Sequence, residues 1–265
     1  MRYTNHTLTF LICTLIISAG SLFGGKLQVR DGRPVVDGVY VNGRGPYRFL
    51  IDTGSNVDFI DTRLAASIGL KPTFRTELAT ATGVTLVPGS DGNEVALGLV
   101  KADRQEFLIS GLDAIHDSWF DVQGVIGQSF LSEFDYLLDL RNRRLEFGKQ
   151  EVTGTRARLM KTNGRQSILT SLGDLVLDSA TARLTLFGVR PEHVGDRKSE
   201  YRSLNGSQKT GFASGKPLVI EGRTIRYGDA LAIPSRPELG LAGLLPLGLF
   251  KSVYFCNSEG YVVFE

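Results

Sequence analysis

The chain has 265 residues, enough for one large domain or for two lobes that each bury a core. Hydrophobic residues make up 42% and charged residues 22%, a balance that excludes a disordered or fibrous protein. The formal net charge is +2 and no dense basic stripe interrupts the sequence, so we expect no nucleic-acid partner.

The N-terminal segment has the pattern of an export signal. Arg2 precedes an uncharged apolar run, residues 8–19, which ends in the small residues that a signal peptidase prefers. The run is shorter than the roughly 20 residues that span a bilayer. We therefore interpret residues 1–24 as a signal peptide, with an N-terminal membrane anchor as the alternative, and expect an exported protein, periplasmic or secreted.

The first half of the remaining chain reads as short strands broken by turns. Together with 31 glycines, this pattern favours an all-β fold. The predicted elements, in order, are strands 27–30, 35–41 and 47–51, a helix 61–69, strands 74–80, 84–87, 94–99 and 105–109, an apolar Gly segment 124–127, a helix 128–134 and a hairpin 136–147.

The second half repeats this order after a polar, basic stretch. We interpret residues 149–166 as a linker between an N-terminal lobe, 25–148, and a C-terminal lobe, 167–265. A strand leads to an Asp, strands follow near 208–213, 217–220, 224–227 and 230–233, and an apolar Gly segment, 243–250, precedes a final hairpin, 253–264. The matching order indicates a duplicated lobe.

Each half contains one Asp at the end of an apolar strand. In the first half, Asp52 enters the turn Thr53-Gly54-Ser55. In the second half, Asp178 enters the turn Ser179-Ala180-Thr181. Two such carboxylates brought face to face cannot both ionise easily, so one keeps a proton while the other acts as a base toward water.

The first of these motifs, with its surroundings, resembles a known family. The Asp52 turn, the hairpin that leads into it and the Gly segment 124–127 resemble the aspartic peptidases, both pepsin-like and retropepsin-like. The closing segment 124–147 is especially similar to the retropepsin-like aspartyl proteases of bacteria. The resemblance covers nearly all of residues 35–147.

The resemblance implies an all-β, bilobal acid-protease fold with two retropepsin-like barrel lobes. It implies an aspartic endopeptidase in which Asp52 and Asp178 activate water without a cofactor or a metal. The substrate would be a peptide or protein, and one chain with both motifs is expected to be monomeric.

The resemblance also assigns roles to the neighbouring residues. Thr53 and Ser179 would hydrogen-bond across the lobe interface, and the hydroxyls of Ser55 and Thr181 would bond the outer oxygens of the two carboxylates. A substrate-covering flap is expected at Thr82, Gly83 and Val84, with a counterpart at 205–215. Asp58 and Asp61 are expected to face solvent or to cap a helix rather than to join the pair.

The second motif departs from the first at Ala180, which stands where the first has Gly54. If the turn requires a positive φ, Ala would displace Asp178. Two alternatives follow from this departure: a non-catalytic peptide-binding protein with the same scaffold, and a dimer in which only Asp52 of each chain is used.

Overall fold

The computed structural model describes residues 22–80, 83–113, 121–191, 199–203, 206–213 and 216–265. Most of the predicted signal segment therefore lies outside the described residues. Within them, no helix is both long and apolar enough to cross a membrane.

The first lobe consists mainly of short strands. They are β1 (Leu22–Arg30), β2 (Arg33–Val41), β3 (Arg44–Ile51), β4 (Asp58–Asp61), β5 (Phe74–Thr80), β6 (Gly83–Leu97), β7 (Val100–Ser110), β8 (Gly124–Ile126), β9 (Tyr136–Asp139) and β10 (Arg144–Phe147). Two short helices accompany them, α1 (Thr62–Ser67) and α2 (Gln128–Leu131).

The rest of the chain also consists mainly of short strands. Its strands are β11 (Thr155–Arg158), β12 (Met160–Thr162), β13 (Arg165–Thr170), β14 (Gly173–Asp178), β15 (Thr185–Phe187), β16 (Ser199–Ser203), β17 (Gly206–Ala213), β18 (Leu218–Ile220), β19 (Arg223–Ile225), β20 (Ala230–Ile233), β21 (Gly243–Pro246), β22 (Ser252–Cys256) and β23 (Tyr261–Phe264). Two 3₁₀ turns lie at Pro237–Leu239 and Leu247–Leu249.

The two halves have the same strand topology. In the first, the strand order is β2-β3-β8-β4-β7-β6-β5, and in the second it is β13-β14-β21-β15-β20-β17-β16. The strand directions also correspond: β3 runs parallel to β8, and β14 runs parallel to β21. The predicted duplication is thus confirmed, and the fold is all-β with two similar lobes.

The lobes share one sheet beneath the two Asp turns. Its strand order is β11-β23-β22-β9-β10-β1, and its centre is the antiparallel pair β9 and β22, one strand from each half. The closing hairpin of the second half therefore pairs with that of the first. Such a continuous ladder fixes the orientation of one half against the other.

Aromatic side chains fill the core above this shared sheet. Tyr136 and Phe255, on the two central strands, stack with ring centroids 4.6 Å apart, and Phe147 packs against Phe130 at 6.1 Å. All four are fully buried. Burial of one such side chain contributes roughly 1.5–3 kcal/mol, so this layer is a major source of the adhesion between the halves.

Several boundaries differ from the sequence-based expectation. The first described strand, β1, starts at Leu22 inside the predicted segment 1–24 and pairs with β10 from this residue. The predicted linker 149–166 contains β11 and β12, which pair with β23 and β13. It therefore belongs to the sheets, because backbone pairing does not need an apolar sequence. The strands predicted at 84–87 and 94–99 are parts of the continuous strand β6.

Candidate active site

Parallel strand pairs place the two aspartates at equivalent points of the lobes. β3 ends beside β8, and the N–H of Asp52 donates to the carbonyl of Ile126 at 2.9 Å. In the second lobe, β14 ends beside β21, with Asp178 in register with Pro246. The predicted apolar Gly segments thus serve as the neighbouring strands that carry the Asp turns.

Each carboxylate is held by the backbone of its own turn. Oδ1 of Asp52 accepts from the N–H groups of Gly54 and Ser55 at 3.0 and 3.1 Å. Oδ1 of Asp178 accepts in the same way from Ala180 and Thr181 at 2.7 and 2.9 Å. Two donors on one oxygen orient each carboxylate and leave its second oxygen available.

Thr53 and Ser179 join the two turns through a reciprocal exchange. The N–H of Thr53 donates to the Ser179 hydroxyl at 3.0 Å, and the N–H of Ser179 donates to the Thr53 hydroxyl at 3.0 Å. Each hydroxyl then donates to a carbonyl of the opposite lobe, Leu177 at 2.7 Å and Ile51 at 2.6 Å. Both side chains are fully buried. The structure therefore contains the cross-lobe bonds predicted for this pair.

Gly54 allows the two turns to approach each other. A Cβ at this position would lie 2.6 Å from Cγ and 2.8 Å from Oδ2 of Asp178, closer than non-bonded atoms tolerate. Gly54 also donates to the carboxylate of Asp52, so both carboxylates lie next to this glycine. Asp178 therefore lies at the interface beside the Asp52 turn and does not turn away into a core.

Ala180 is compatible with its place in the second turn. It is absent from the residues with positive φ, so its backbone is in a region open to any L-residue. Its partly buried side chain packs against the apolar cluster of the first lobe that contains Leu50 and Val125. The methyl group thus fills space between the lobes.

The hydroxyls of Ser55 and Thr181 do not have the predicted role. That of Ser55 donates to the carbonyl of Val57 at 2.7 Å, and that of Thr181 donates to the carbonyl of Arg183 at 3.2 Å. The contacts of these two residues with the carboxylates are made by their N–H groups instead. Ser and Thr hydroxyls often bond a backbone carbonyl two residues further along the chain and so close a local turn. Both hydroxyls bond in this way here.

The surroundings favour a proton on the pair of carboxyls. Burial raises the pKa of Asp52, and the neighbouring charge of Asp178 raises it further, while the N–H groups of its own turn act in the opposite direction. Burial also raises the pKa of Asp178, again opposed by its turn. Two carboxyls this close titrate as a unit, so the proton belongs to the pair.

Three residues near the pair escaped the sequence analysis. Arg165, at the start of β13, donates through Nε to the carbonyl of Gly54 at 3.1 Å. Arg33, the first residue of β2, acts electrostatically on Asp178. Tyr201, on β16, is partly buried, and burial and then the two aspartates raise its pKa. The sequence does contain a signal for the two arginines, because each directly follows a glycine in the turn before its strand.

Two comparisons with known proteins found a similarity. Residues 38–130 match the family model described as aspartyl protease. A retropepsin-like aspartic protease from Rickettsia conorii is similar to this chain in structure at 20% identity, with 49% of this chain and 91% of that chain covered and a TM-score of 0.37. The search of curated proteins found no match.

The family match includes Asp52 and ends before Asp178. The second half of the site is therefore supported by its geometry and by the repeated topology. Among the residues that the structure describes, no group of three or more His, Cys, Asp or Glu side chains is arranged to hold a metal ion.

The flap predicted at Thr82, Gly83 and Val84 falls at the end of the hairpin of β5 and β6. Gly83 pairs with Thr80 at its end, Val84 is exposed, and Thr82 lies outside the described residues. Ala79 packs against the second-lobe apolar cluster that includes Leu239. The hairpin therefore extends from the first lobe to the second. Its predicted counterpart falls on β16 and β17, with part of 205–215 outside the described residues.

Asp58 and Asp61 both cap helices. The N–H of Gly127, just before α2, donates to Oδ1 of Asp58 at 2.6 Å, and the N–H of Arg63 in α1 donates to Asp61 at 2.8 Å. Asp58 is fully buried, so it does not face solvent. Burial raises its pKa well above the ordinary value, while the N–H groups of Gly127 and Phe130 act in the opposite direction. Asp58 thus ties the Gly segment to the loop that follows Asp52.

The cross-lobe exchange should contribute strongly to stability. Thr53→Val keeps the shape of the side chain but leaves a buried N–H and a buried carbonyl without partners, each at a cost of about 1–3 kcal/mol. Urea titration should show this loss in the free energy of unfolding. Thr73→Val, which removes an exposed hydrogen bond to Asp91, is the matched control and should cost much less. Equal losses in the two variants would contradict the role of the exchange.

Asp58 should make the protein less stable as the pH rises. Its folded pKa is raised, so its stabilising contribution is complete below the unfolded pKa of about 3.9 and is lost as the pH rises toward the folded pKa. Asp58→Asn keeps an acceptor for Gly127 but cannot ionise. The variant should flatten the fall in unfolding free energy by up to about 1.4 kcal/mol per pH unit.

This dependence can be measured by urea unfolding from about pH 4 upward, above the ordinary pKa of an Asp carboxyl. Asp103→Asn, at a side chain that is 71% exposed, is the control and should leave the slope unchanged. An Asp58→Asn slope identical to that of the parent protein would show that Asp58 is not held protonated.

Proposed function

We propose that the protein is an aspartic endopeptidase that hydrolyses peptide bonds with a water activated by Asp52 and Asp178. The observation that carries this proposal is the neighbouring pair of carboxylates, each held by two N–H groups of its own turn, with Asp178 buried and Asp52 partly buried at the junction of the lobes. The match of residues 38–130 to aspartyl proteases supports the same activity class.

The chemistry follows from one proton shared by two carboxyls. The ionised member takes a proton from water, and the oxygen of that water bonds to the scissile carbonyl carbon. The protonated member donates to the carbonyl oxygen, which becomes a hydroxyl in the tetrahedral intermediate. The carboxyl that took the proton from water then gives it to the leaving nitrogen. The other carboxylate takes the hydroxyl proton back as the carbonyl reforms and the C–N bond breaks, which releases the amine and restores one proton to the pair. Because the two titrate together, neither Asp is assigned one fixed role.

The substrate would lie extended between the lobes, under the hairpin of β5 and β6. An extended peptide can pair with an exposed strand edge through main-chain hydrogen bonds, with alternate side chains entering pockets. Since both Asp turns come from one chain, we propose a monomer that acts on peptides or proteins. We also propose export, with residues 1–24 as a cleaved signal or as an anchor.

The two alternative functions receive less support. The non-catalytic binder rested on a misplaced Asp178, but Ala180 adopts an ordinary backbone conformation and Asp178 makes the same turn contacts as Asp52. In a dimer that uses only Asp52, the Asp52 turn of one chain would have to contact the Asp52 turn of the other. Here Thr53 already exchanges its hydrogen bonds with Ser179 of the same chain.

Loss of either carboxylate should abolish peptide hydrolysis. Asp52→Asn and Asp178→Asn each leave the pair without its shared proton and base, and should each lower kcat/KM by at least about 10²–10⁴-fold. The assay is cleavage of a broad peptide mixture by the chain lacking residues 1–21, followed by mass spectrometry. Asp103→Asn is the control and should cleave normally, and pepstatin-type inhibitors should block the parent protein.

Full activity of Asp178→Asn, together with a dimer in solution, would support the use of Asp52 alone. Cleavage that both substitutions leave intact would overturn the mechanism altogether.

The equivalent positions Gly54 and Ala180 should respond in opposite ways. Gly54→Ala places a methyl group against the carboxylate of Asp178 and should lower kcat/KM about 10²-fold, because displacements of about 1 Å have effects of this size. Ala180→Gly should change kcat/KM only a few-fold and lower stability by about 0.5–1 kcal/mol. A large gain in activity of Ala180→Gly would instead show that Ala180 displaces Asp178.

A further inference from the structure

Two arginines occupy equivalent positions at the entrances to the lobes. The turn Asp31-Gly32 precedes Arg33, and the turn Asn163-Gly164 precedes Arg165. The backbone of the two turns is nearly the same, with φ of 51° and 76° in the first and 50° and 76° in the second. Each hairpin thus delivers an Arg as the first residue of the strand that leads toward the Asp strand.

Arg165 is fixed beside both carboxylates. Its Nε donates to the carbonyl of Gly54, the residue that donates to Asp52 and has no room for a Cβ against Asp178. The turn before it is seated on the first lobe, since a Cβ on Gly164 would lie 3.1 Å from Cβ of Asn56. A single residue, Gly54, therefore lies between the guanidinium and the two carboxyls. Gly54 belongs to the opposite lobe, so that lobe holds the Arg165 side chain in place.

The terminal nitrogens of Arg165 remain available for a ligand. Within the described part of the chain, the Gly54 carbonyl accepts from Nε, and neither terminal nitrogen has a hydrogen-bond partner or a carboxylate within ion-pair distance. The side chain is partly buried, and burial lowers its pKa although the charges of Asp52 and Asp178 act against this. A desolvated cation with free donors favours an anionic partner.

We propose that Arg165 is a specificity-determining residue that binds a carboxylate of the peptide substrate close to the scissile bond. The planar guanidinium offers two parallel donors that match the two oxygens of a carboxylate. Because Nε is already tied to Gly54, the terminal nitrogens are the pair that would bind. This inference rests on the proposed function, in which the peptide lies between the lobes.

A carboxylate near the cut can come from two sources. It can be the side chain of an Asp or Glu, which implies an endopeptidase with an acidic preference. It can also be the C-terminal carboxylate of the peptide, which implies cleavage near a chain end. The chemistry at Arg165 is the same for both, so the substrates used in the test must separate them.

The test uses binding, so that it does not depend on turnover. Asp52→Asn, which retains the fold but should not cleave, is immobilised and a randomised peptide library is selected on it at about pH 6, where peptide carboxylates are ionised. Matched peptides follow, with Glu or Gln at the selected position and with a free or an amidated C-terminus. Their Kd values are measured by fluorescence polarisation with and without the added substitution Arg165→Gln.

The expected result is a preference of about tenfold or more for one carboxylate over its amide, the range of a charge-assisted pair, and its loss in Arg165→Gln. Arg165→Lys keeps the charge without the fork and should retain part of the preference. Arg156→Gln, at an exposed Arg on β11 remote from the Asp turns, is the matched control and should retain all of it. Thermal unfolding of each variant verifies that it is folded.

Absence of any preference for a carboxylate, or a preference that survives Arg165→Gln, would overturn the inference. If Arg165→Gln fails to fold, a preference that is undiminished in Arg165→Lys would do the same. Cleavage by the parent protein is measured separately on the same peptides. Cleavage without an acidic preference defeats the inference alone, whereas Arg165-dependent binding without cleavage defeats the proposed function alone.

Discussion

The reciprocal hydrogen bonds between Thr53 and Ser179 are the constraint on which the rest of the site depends. Two buried carboxyls repel each other when ionised, so nothing in their own chemistry brings them together. The exchange of N–H and hydroxyl groups, with Leu177 and Ile51 as further acceptors, fixes the two turns against each other across the lobes. The shared sheet below, with β9 beside β22, supports this contact from the opposite side of the core.

A repeated fold does not produce a symmetric site. The N–H groups that orient Asp52 and Asp178 are equivalent, but Gly54 faces a carboxylate whereas the methyl of Ala180 packs into the first-lobe core. Arg165 is tied to Gly54 by a hydrogen bond, and Tyr201 comes from the second lobe alone. The repeat therefore supplies the paired carboxyls, and the differences between the halves supply the features that could distinguish substrates.

Much of the fold was predictable because its signals are local. Apolar alternation and turn residues located β2, β3 and the closing hairpins, and an Asp before the helix identified the cap of α1. The signals failed where distant pairing decides the structure. β11 lies in a stretch without apolar periodicity and is a strand because β23 provides its partner. The resemblance predicted that the hydroxyls of Ser55 and Thr181 bind the carboxylates. In the structure they donate to nearby backbone carbonyls instead.

The sequence by itself determined the two Asp turns, the duplication and the similarity of residues 38–130 to aspartyl proteases, since each is written in contiguous residues. Only the tertiary structure decided that Asp178 lies against the Asp52 turn, that Ala180 fits its turn, and that Arg165 lies beside Gly54. Those facts depend on contacts between residues more than a hundred positions apart. Packing of one lobe against the other sets such contacts, and no local pattern records them.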